Sequence, residues 1–487
     1  MASFKEKLGY ALGDAASGGI TWKIMSTAFP LFFTNIFGLT FADAGVLILV
    51  ARIFDVVTDP LMGSIADRTQ SRWGTYRPWL IWGAIPFGLI FAMLLYTPEL
   101  GPVGKRVWAY SFYLLMMAVY TLVNVPYGSL LGVMTEDDNE KNEFSSYRMV
   151  GAYAMGFITL FSFPYIQNLF GGPEYVALSE QLKALKESNA SDAEIINIES
   201  QLQPYSQHCY AIIGAIFGFI AAAMTLACGL LTKERVKPKR AESFSFKQFV
   251  NLVHNKPWVY ITLTAVCTNF FNGFRYAAAG YMFTYCTGGD VTLGRLIVNY
   301  TVFMAIGEVT CMLFGALSPA FTKKIGSKRM AFVWSAVICC VTSVLFFFIP
   351  MDPAYIWLMI VVSVLTSIGA GLYSPLLWSM YADVADYATE KDGTSSTGLI
   401  FSSGTMAQKL GGAISGALIV FLLGMAGLVS KEQVVLNPET GREISKTIIT
   451  ITDLDSVKTM IWAMFSLIPA AIALVMGWLA YKFPLKK

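Results

Sequence analysis

The sequence predicts an all-α membrane protein of about twelve transmembrane helices in two pseudo-symmetric six-helix bundles. Three observations predict it. The 487 residues are 55% hydrophobic and 14% charged, with a mean hydropathy of +0.56, and apolar stretches of spanning length recur throughout. Most of the 35 Lys and Arg residues fall in alternate connections, which places both termini on the cytoplasmic side by the positive-inside rule. The segments leaving the second and fourth spans, 63–78 and 125–148, are echoed after the eighth and tenth, at 318–330 and 374–398.

The spans are expected at 9–38, 43–66, 77–97, 106–134, 147–170 and 207–232, then 257–287, 293–321, 330–350, 354–381, 396–424 and 458–482. Residues 1–232 therefore form the first bundle and 257–487 the second. The basic stretch 233–256 links them, and within it 244–253 is periodic enough for a short surface helix, an ordinary charged linker being the alternative. External segments follow the fifth and eleventh spans. Within 171–206, residues 174–203 read as a charged helical excursion; within 425–457, residues 446–452 read as a short strand. The amino terminus lacks a short apolar core with a small-residue cleavage site, so no signal peptide is expected.

Composition excludes several functions. The seven cysteines have no CxxC spacing and the two histidines lie near opposite faces, so free thiols and no metal framework are expected. No nucleophile elbow or phosphate-cradling glycine loop stands out, which argues against an enzyme. Net charge of +3 says little by itself, and no nucleic-acid partner is expected.

Chemistry concentrates on the second span. Arg52, Asp55 and Asp59 follow three- and four-residue spacing and share one helical face, with Thr58 beside them and Pro60 freeing a backbone carbonyl. An ionised carboxylate in a bilayer costs about 2.5–3.5 kcal/mol even on the mildest insertion scale, so two imply a cation site, for Na+ or a proton. The bland alternative is a structural Arg52–Asp55 ion pair. Lys409, midway along the eleventh span near Thr405 and the close-packing Gly411, Gly412 and Gly416, needs a carboxylate. Asp55 and Asp59 are the favoured partners and Glu308 the competitor. Further polar groups are Asp14, Trp22 and Lys23 on the first span, Tyr120, Thr121 and Asn124 on the fourth, and Asn269, Asn272, Arg275 and Tyr276 on the seventh. Hydrogen-bonding groups with interspersed aromatics suit a sugar, although each singly is also an ordinary interhelical contact. Trp22 and Trp378 would equally fit lipid-facing belts. Asp67, Arg68, Arg72 and Arg77 face the acidic run 136–138 and Arg148 in a proposed cytoplasmic gate, or are plain topology signals.

The segments ARIFDVVTDPLMGSIADRTQSRWGTYRPW (51–79), YTLVNVPYGSLLGVMTEDDNEKNEFSSYR (120–148) and WSMYADVADYATEKDGTSS (378–396) resemble the glycoside–pentoside–hexuronide:cation symporters of the major facilitator superfamily. The resemblance implies that superfamily's fold and cation-coupled sugar transport by alternating access. It implies that Asp55, Asp59 and Thr121 bind the cation and that Lys409 links cation and sugar sites. Tyr120, Arg148 and Thr405 fall at or beside its sugar positions. Gly18 and Asn124 stand where two acidic sugar ligands are usual, Gly128 replaces a tryptophan, and Thr58 replaces an asparagine. These departures argue against melibiose as the substrate and not against a sugar. With Lys23 added the pocket would suit a uronide; enlarged by Gly18 and Gly128 it would admit a bulkier glycoside or oligosaccharide. The expected partners are a small sugar, the coupling cation and the lipid bilayer. A monomer with no cofactor beyond Na+ or H+ is expected, in the cell membrane. An uncoupled facilitator or a lysolipid transporter of the same fold is the alternative.

Overall fold

A computed structural model describes every residue except 1, 28, 30–31, 40, 188–191, 237–251, 288–290, 294–295, 351, 393–396, 437–442 and 486–487. Most of the basic linker, with its expected surface helix, lies outside the described residues.

The first span is helical but not uniformly α. Helix α1 (Phe4–Asp14) is capped by Ser3, whose hydroxyl accepts from the Glu6 N–H, and it runs directly into a π-helical segment, Ala15–Trp22. A short α turn, Lys23–Thr27, and a second π segment, Phe32–Ile36, continue it. Wide winding of this kind re-aims side chains and recurs at functional sites. Gly19 lets this segment pack closely on the neighbouring helix, where a Cβ would lie 2.9 Å from the Ala152 carbonyl.

The following helices are α2 (Phe41–Arg68), α3 (Arg77–Leu94), α4 (Pro102–Met134), α5 (Asp138–Glu187) and α6 (Asp192–Leu231). Across the linker come α7 (Lys256–Tyr285), α8 (Tyr300–Ile325), α9 (Lys328–Phe347), α10 (Ile356–Asp392) and α11 (Thr397–Met425). Helices α12 (Leu454–Phe465) and α13 (Leu467–Lys482) form the final run, broken at Ser466. Among the described residues nine helices are long and apolar enough to cross a membrane. The other runs, the first, α2 and α7, carry Asp14 and Lys23, Asp55 and Asp59, and Asn272 and Arg275.

The exterior is apolar, as lipid requires. Ile85, Val103, Phe219 and Phe348 are among the exposed large side chains. Helix α2 shows the partition within one element. Ile53 and Val57 are 62% and 57% exposed, whereas Asp55 and Asp59 are 2% and 0% exposed. Residues two apart on a helix point some 200° apart, so the face opposite the lipid stripe carries the carboxylates inward.

The external segments take two forms. Residues 171–206 are helical where described, extending α5 through a kink at Gly172 (φ +75°) and leading into α6. After α11, antiparallel strands Leu428–Leu436 and Glu443–Ile451 pair in register from Leu428↔Ile451 to Leu436↔Glu443. A smaller hairpin, Val291–Leu293 with Leu296–Val298, precedes α8.

Both termini lie at one face of the bundle. The Ala2 N–H donates to Glu140, Lys141 pairs with Asp386, Lys328 pairs with Asp383, and Arg329 reaches the Phe483 carbonyl. All seven cysteines are free thiols.

Candidate functional site

The densest buried charge lies between α2 and α11. The Lys409 ammonium sits 2.9 Å from Asp55 Oδ1 and 3.0 Å from Asp59 Oδ1. Thr121 of α4 donates to Asp59 Oδ1 at 2.7 Å, and Thr405 donates to Asp59 Oδ2 at 3.3 Å. Thr405 and Lys409 are four residues apart and so share a face of α11. Behind them the helix packs tightly on α7: a Cβ on Gly411 would lie 2.6 Å from the Val266 carbonyl, whereas Gly412 and Gly416 have open space and are not close-packing positions. Glu308 does not take Lys409. Both carboxylates lie out of water, where an ionised group is costly unless it is paired. One expected member falls outside the cluster. The Thr58 hydroxyl donates back to the Phe54 carbonyl at 3.0 Å, the usual fate of a mid-helix threonine. The Arg52 side chain lies outside the described residues.

The first span meets this cluster through aromatic rings. Trp22 packs on Tyr120 at 5.9 Å between centroids, and Tyr120 lies 5.8 Å below the Lys409 ammonium. Arg148 of α5 is buried, with Nε 2.8 Å from Asp14 Oδ2 and its guanidinium 3.9 Å over Trp378 and 4.9 Å over Tyr127. Ser17 donates to Asp14 Oδ1 at 3.2 Å. That oxygen lies 3.1 Å from where a Gly18 Cβ would stand, so the carboxylate of Asp14 occupies the space that the glycine leaves. Arg148 belongs here and not to a gate. Asn124 is buried on α4, its side-chain oxygen without a hydrogen-bond partner among the described residues. Trp378 is 2% exposed, stacked at 6.3 Å on Phe401, and is no lipid-belt residue. Phe401 also lies 3.4 Å from the Cβ position of Gly128, so that glycine makes room for a ring and does not enlarge a pocket.

The Lys23 side chain turns inward, 19% exposed. Its ammonium reaches Glu308 of α8 at 2.5 Å and lies 5.7 Å over the Tyr276 ring, bridging the two halves. Beside this bridge a narrow cavity is lined by Tyr153, Asn272, Arg275, Tyr276, Ser363 and Ser367, among others.

At the terminus-bearing face the expected gate is present only in part. Asp67 accepts from the Tyr76 hydroxyl at 2.5 Å and, across the halves, from the Gly398 and Leu399 N–H groups at 2.6 and 3.4 Å. The α2 and α11 backbones touch there, a Cβ on Gly63 falling 2.6 Å from the Gly398 carbonyl. Lys141–Asp386 and a 2.6 Å bond from Ser146 to the Gly315 carbonyl also cross the halves. Arg72 and Arg77 do not. Arg77 donates to the Gly229 and Trp73 carbonyls and Arg72 covers the Trp73 ring, all within their own half, while Arg68 flanks Asp67. In the acidic run, Asp137 caps α5 through the Asn139 and Glu140 N–H groups, and Asp138 gathers with Asp383 and Asp386. Burial pushes Asp67 up to about 6, against the opposing hydrogen bonds from Tyr76 and Gly398.

Sequence reasoning placed Asp14 and Arg275 among polar groups suited to a sugar and Glu308 as a competitor for Lys409, without the partners that the structure gives them. The signal was present in each case, an ionisable group inside a span; the partner was not visible.

Residues 9–487 match the family model described as MFS/sugar transport protein. The chain is 31% identical over 431 residues to the inner membrane symporter YicJ of Escherichia coli K12, covering 88% of this chain and 85% of that one. It is 30% identical over 436 residues to the putative glycoside/cation symporter YagG of the same strain, covering 86% and 83%. Its fold is similar to the crystal structure of a single-residue variant of the E. coli fucose:proton symporter FucP, with a TM-score of 0.60, 14% identity and coverage of 99% and 98%.

Proposed function

This chain belongs to the MFS/sugar transport family, and from that premise we propose a symporter that couples a sugar or glycoside to a cation held by Asp55 and Asp59. The observation that carries the reading is the buried pair Asp55 and Asp59, which share the Lys409 ammonium and meet the hydroxyls of Thr121 and Thr405, an oxygen-rich set suited to a monovalent cation. Na+ and a proton are both suited to it: carboxylate and hydroxyl oxygens of Asp55, Asp59 and Thr121 are hard ligands, and closely spaced carboxylates also share protons.

Coupling runs through Lys409. A cation at the carboxylates weakens their hold on the ammonium, which lies over Tyr120, and Tyr120 packs on Trp22 of the first span. The sugar sits between the halves, its ring faces on Trp22 and Tyr120 and its hydroxyls on Asp14, Arg148 and Asn124. Each ligand then tightens the other by the same factor. Rocking of the halves requires the Asp67–Gly398 latch to open, and the basic bias of the connections makes that face cytoplasmic. The protein acts as a monomer in the lipid bilayer.

The test is sugar binding to purified protein, with Na+ and pH varied independently, for the wild type and Asp59→Cys. Sugar affinity that rises with Na+ or with protons, and loses that dependence in the variant, supports the assignment. Cation-linked binding that survives Asp59→Cys intact refutes the site.

A further inference from the structure

We propose that the seam between α9 and α13, at the terminus-bearing face, is a binding site for an anionic phospholipid. Arg329 and Lys482 hold its phosphate, and its acyl chains lie along the two helices. The site is on the exterior and stands apart from the sugar and cation sites.

The apolar part is legible in which side chains face outward. Trp334, Val337, Val341, Val344 and Phe348 are exposed on α9, and Leu467, Leu474, Trp478 and Tyr481 on α13. Steps of three, four and seven residues gather each set into one stripe. The two helices are antiparallel neighbours: Arg329 at the start of α9 meets Phe483 just past the end of α13, and a Cβ on Gly477 would lie 3.3 Å from that of Ala336. Val337 and Trp478 each follow that contact by one residue, a turn of about 100°. In antiparallel neighbours equal turns lead to the same side, so both stripes face the same lipid, with a seam floored by Ala336 and Gly477 between them. Trp334, Trp478 and Tyr481 lie at the terminus-bearing end of this face, where amphipathic rings meet the headgroups.

Beyond the rings the charge is of one sign. Lys482 follows Tyr481 at the end of α13, and Lys323 and Lys324 stand in the last turn of α8, just before α9 begins. All three are exposed, and none is in an ion pair among the described residues. Lys328 is different: it is buried and pairs with Asp383 at 2.8 Å, as a structural cation does. Arg329 has a third kind of place. It precedes Ala336 by about two helical turns, so it lies over the seam, with its guanidinium 5.9 Å from the Tyr481 ring. Its Nη1 donates over 3.4 and 3.5 Å to the Phe483 and Tyr481 carbonyls, and its Nε has no hydrogen-bond partner among the described residues. The carbonyl end of α13 orients the guanidinium, and no carboxylate among the described residues balances it.

These observations fit one ligand class. A guanidinium presents paired N–H donors to two oxygens of a phosphate, and basic pockets between transmembrane helices suit anionic headgroups. Arg329 supplies the fork, Lys482 the second charge, and the seam receives chains that a free phosphate lacks. The positive-inside bias asks only for cations somewhere in these connections, not for one fixed over a seam between exposed aromatic rings.

The test titrates phosphatidylglycerol or phosphatidylcholine onto the purified, delipidated full chain in detergent, with bound lipid counted by native mass spectrometry. The wild type should retain one phosphatidylglycerol at concentrations where phosphatidylcholine is not retained. Lys482→Gln should weaken that binding about fivefold and the double variant Arg329→Gln/Lys482→Gln about thirtyfold, one and two cations' worth of attraction to an anionic headgroup. Lys5→Gln/Lys391→Gln removes two exposed cations of the same face away from the seam and should leave binding unchanged. Thermal melting without lipid confirms that each variant is folded; Lys482→Gln alters one exposed side chain and decides the matter should the double variant not fold. Equal retention of the two lipids by the wild type overturns the proposal. So does an equal loss in the Lys5→Gln/Lys391→Gln variant, because the charge then acts diffusely, or unchanged binding in the seam variants. Inorganic phosphate that displaces phosphatidylglycerol at matching concentration makes the site one for free anions and overturns the lipid assignment.

Discussion

Lys23 on the first span and Glu308 on α8 form a 2.5 Å ion pair that joins the two halves across the interior. Both side chains are largely buried, at 19% and 4% exposure, so each carries the other's desolvation. Removing one partner of such a pair costs about 3–5 kcal/mol, whereas replacing both by apolar groups is often neutral. Lys23→Met and Glu308→Gln should therefore each lower the melting temperature in detergent, and the double variant should recover most of the loss. Additive losses would show that the pair is not coupled.

Lys409 contacts two carboxylates at once. Lys409→Gln removes the competing ammonium, so cation affinity should hold or rise while the factor by which cation and sugar tighten one another falls towards one. Isothermal titration of each ligand in the presence and absence of the other gives that factor. An unchanged factor would place coupling elsewhere.

Asp67 links the latch to pH. Its carboxyl is raised to about 6 in the docked state against 3.8 for the free side chain. A group raised in this way stabilises docking fully below its free value and loses that contribution as pH climbs through the docked one. The Asp67–Gly398 contact should be strongest near pH 4 and weakened above about 6. Hydrogen exchange at the start of α11, corrected for intrinsic rate, should be faster at neutral pH in the wild type and insensitive to pH in Asp67→Asn. Slower exchange at neutral pH would reverse the sign and reject the linkage.

Gly63 and Gly398 let the backbones of α2 and α11 touch at the same latch. Gly63→Ala must push them apart, because the obstructing atom at 2.6 Å is a backbone carbonyl, and overpacking of this kind costs about 1–3 kcal/mol. Closure at that face should weaken, read as slower uptake into proteoliposomes and faster exchange at 398–399. Wild-type values for both would exclude a role for the contact.

The sequence by itself determined the membrane class, the order of the spans and the placing of Asp55, Asp59 and Lys409 inside them. Those follow from local quantities: apolar length against bilayer thickness, helical spacing, and the desolvation cost of a charge inside a span. Only the tertiary structure decided who pairs with whom. Lys23 chose Glu308, 285 residues away, and Arg148 chose Asp14, 134 away, because the packing of distant helices brings those groups together. Arg275 instead donates to Ser363 of α10. Thr58 and Arg77 show the converse, plausible neighbours of charged groups whose hydrogen bonds are satisfied by nearby backbone carbonyls. A residue's cost of burial is written along the chain; its compensation is set by the surface that the fold places against it.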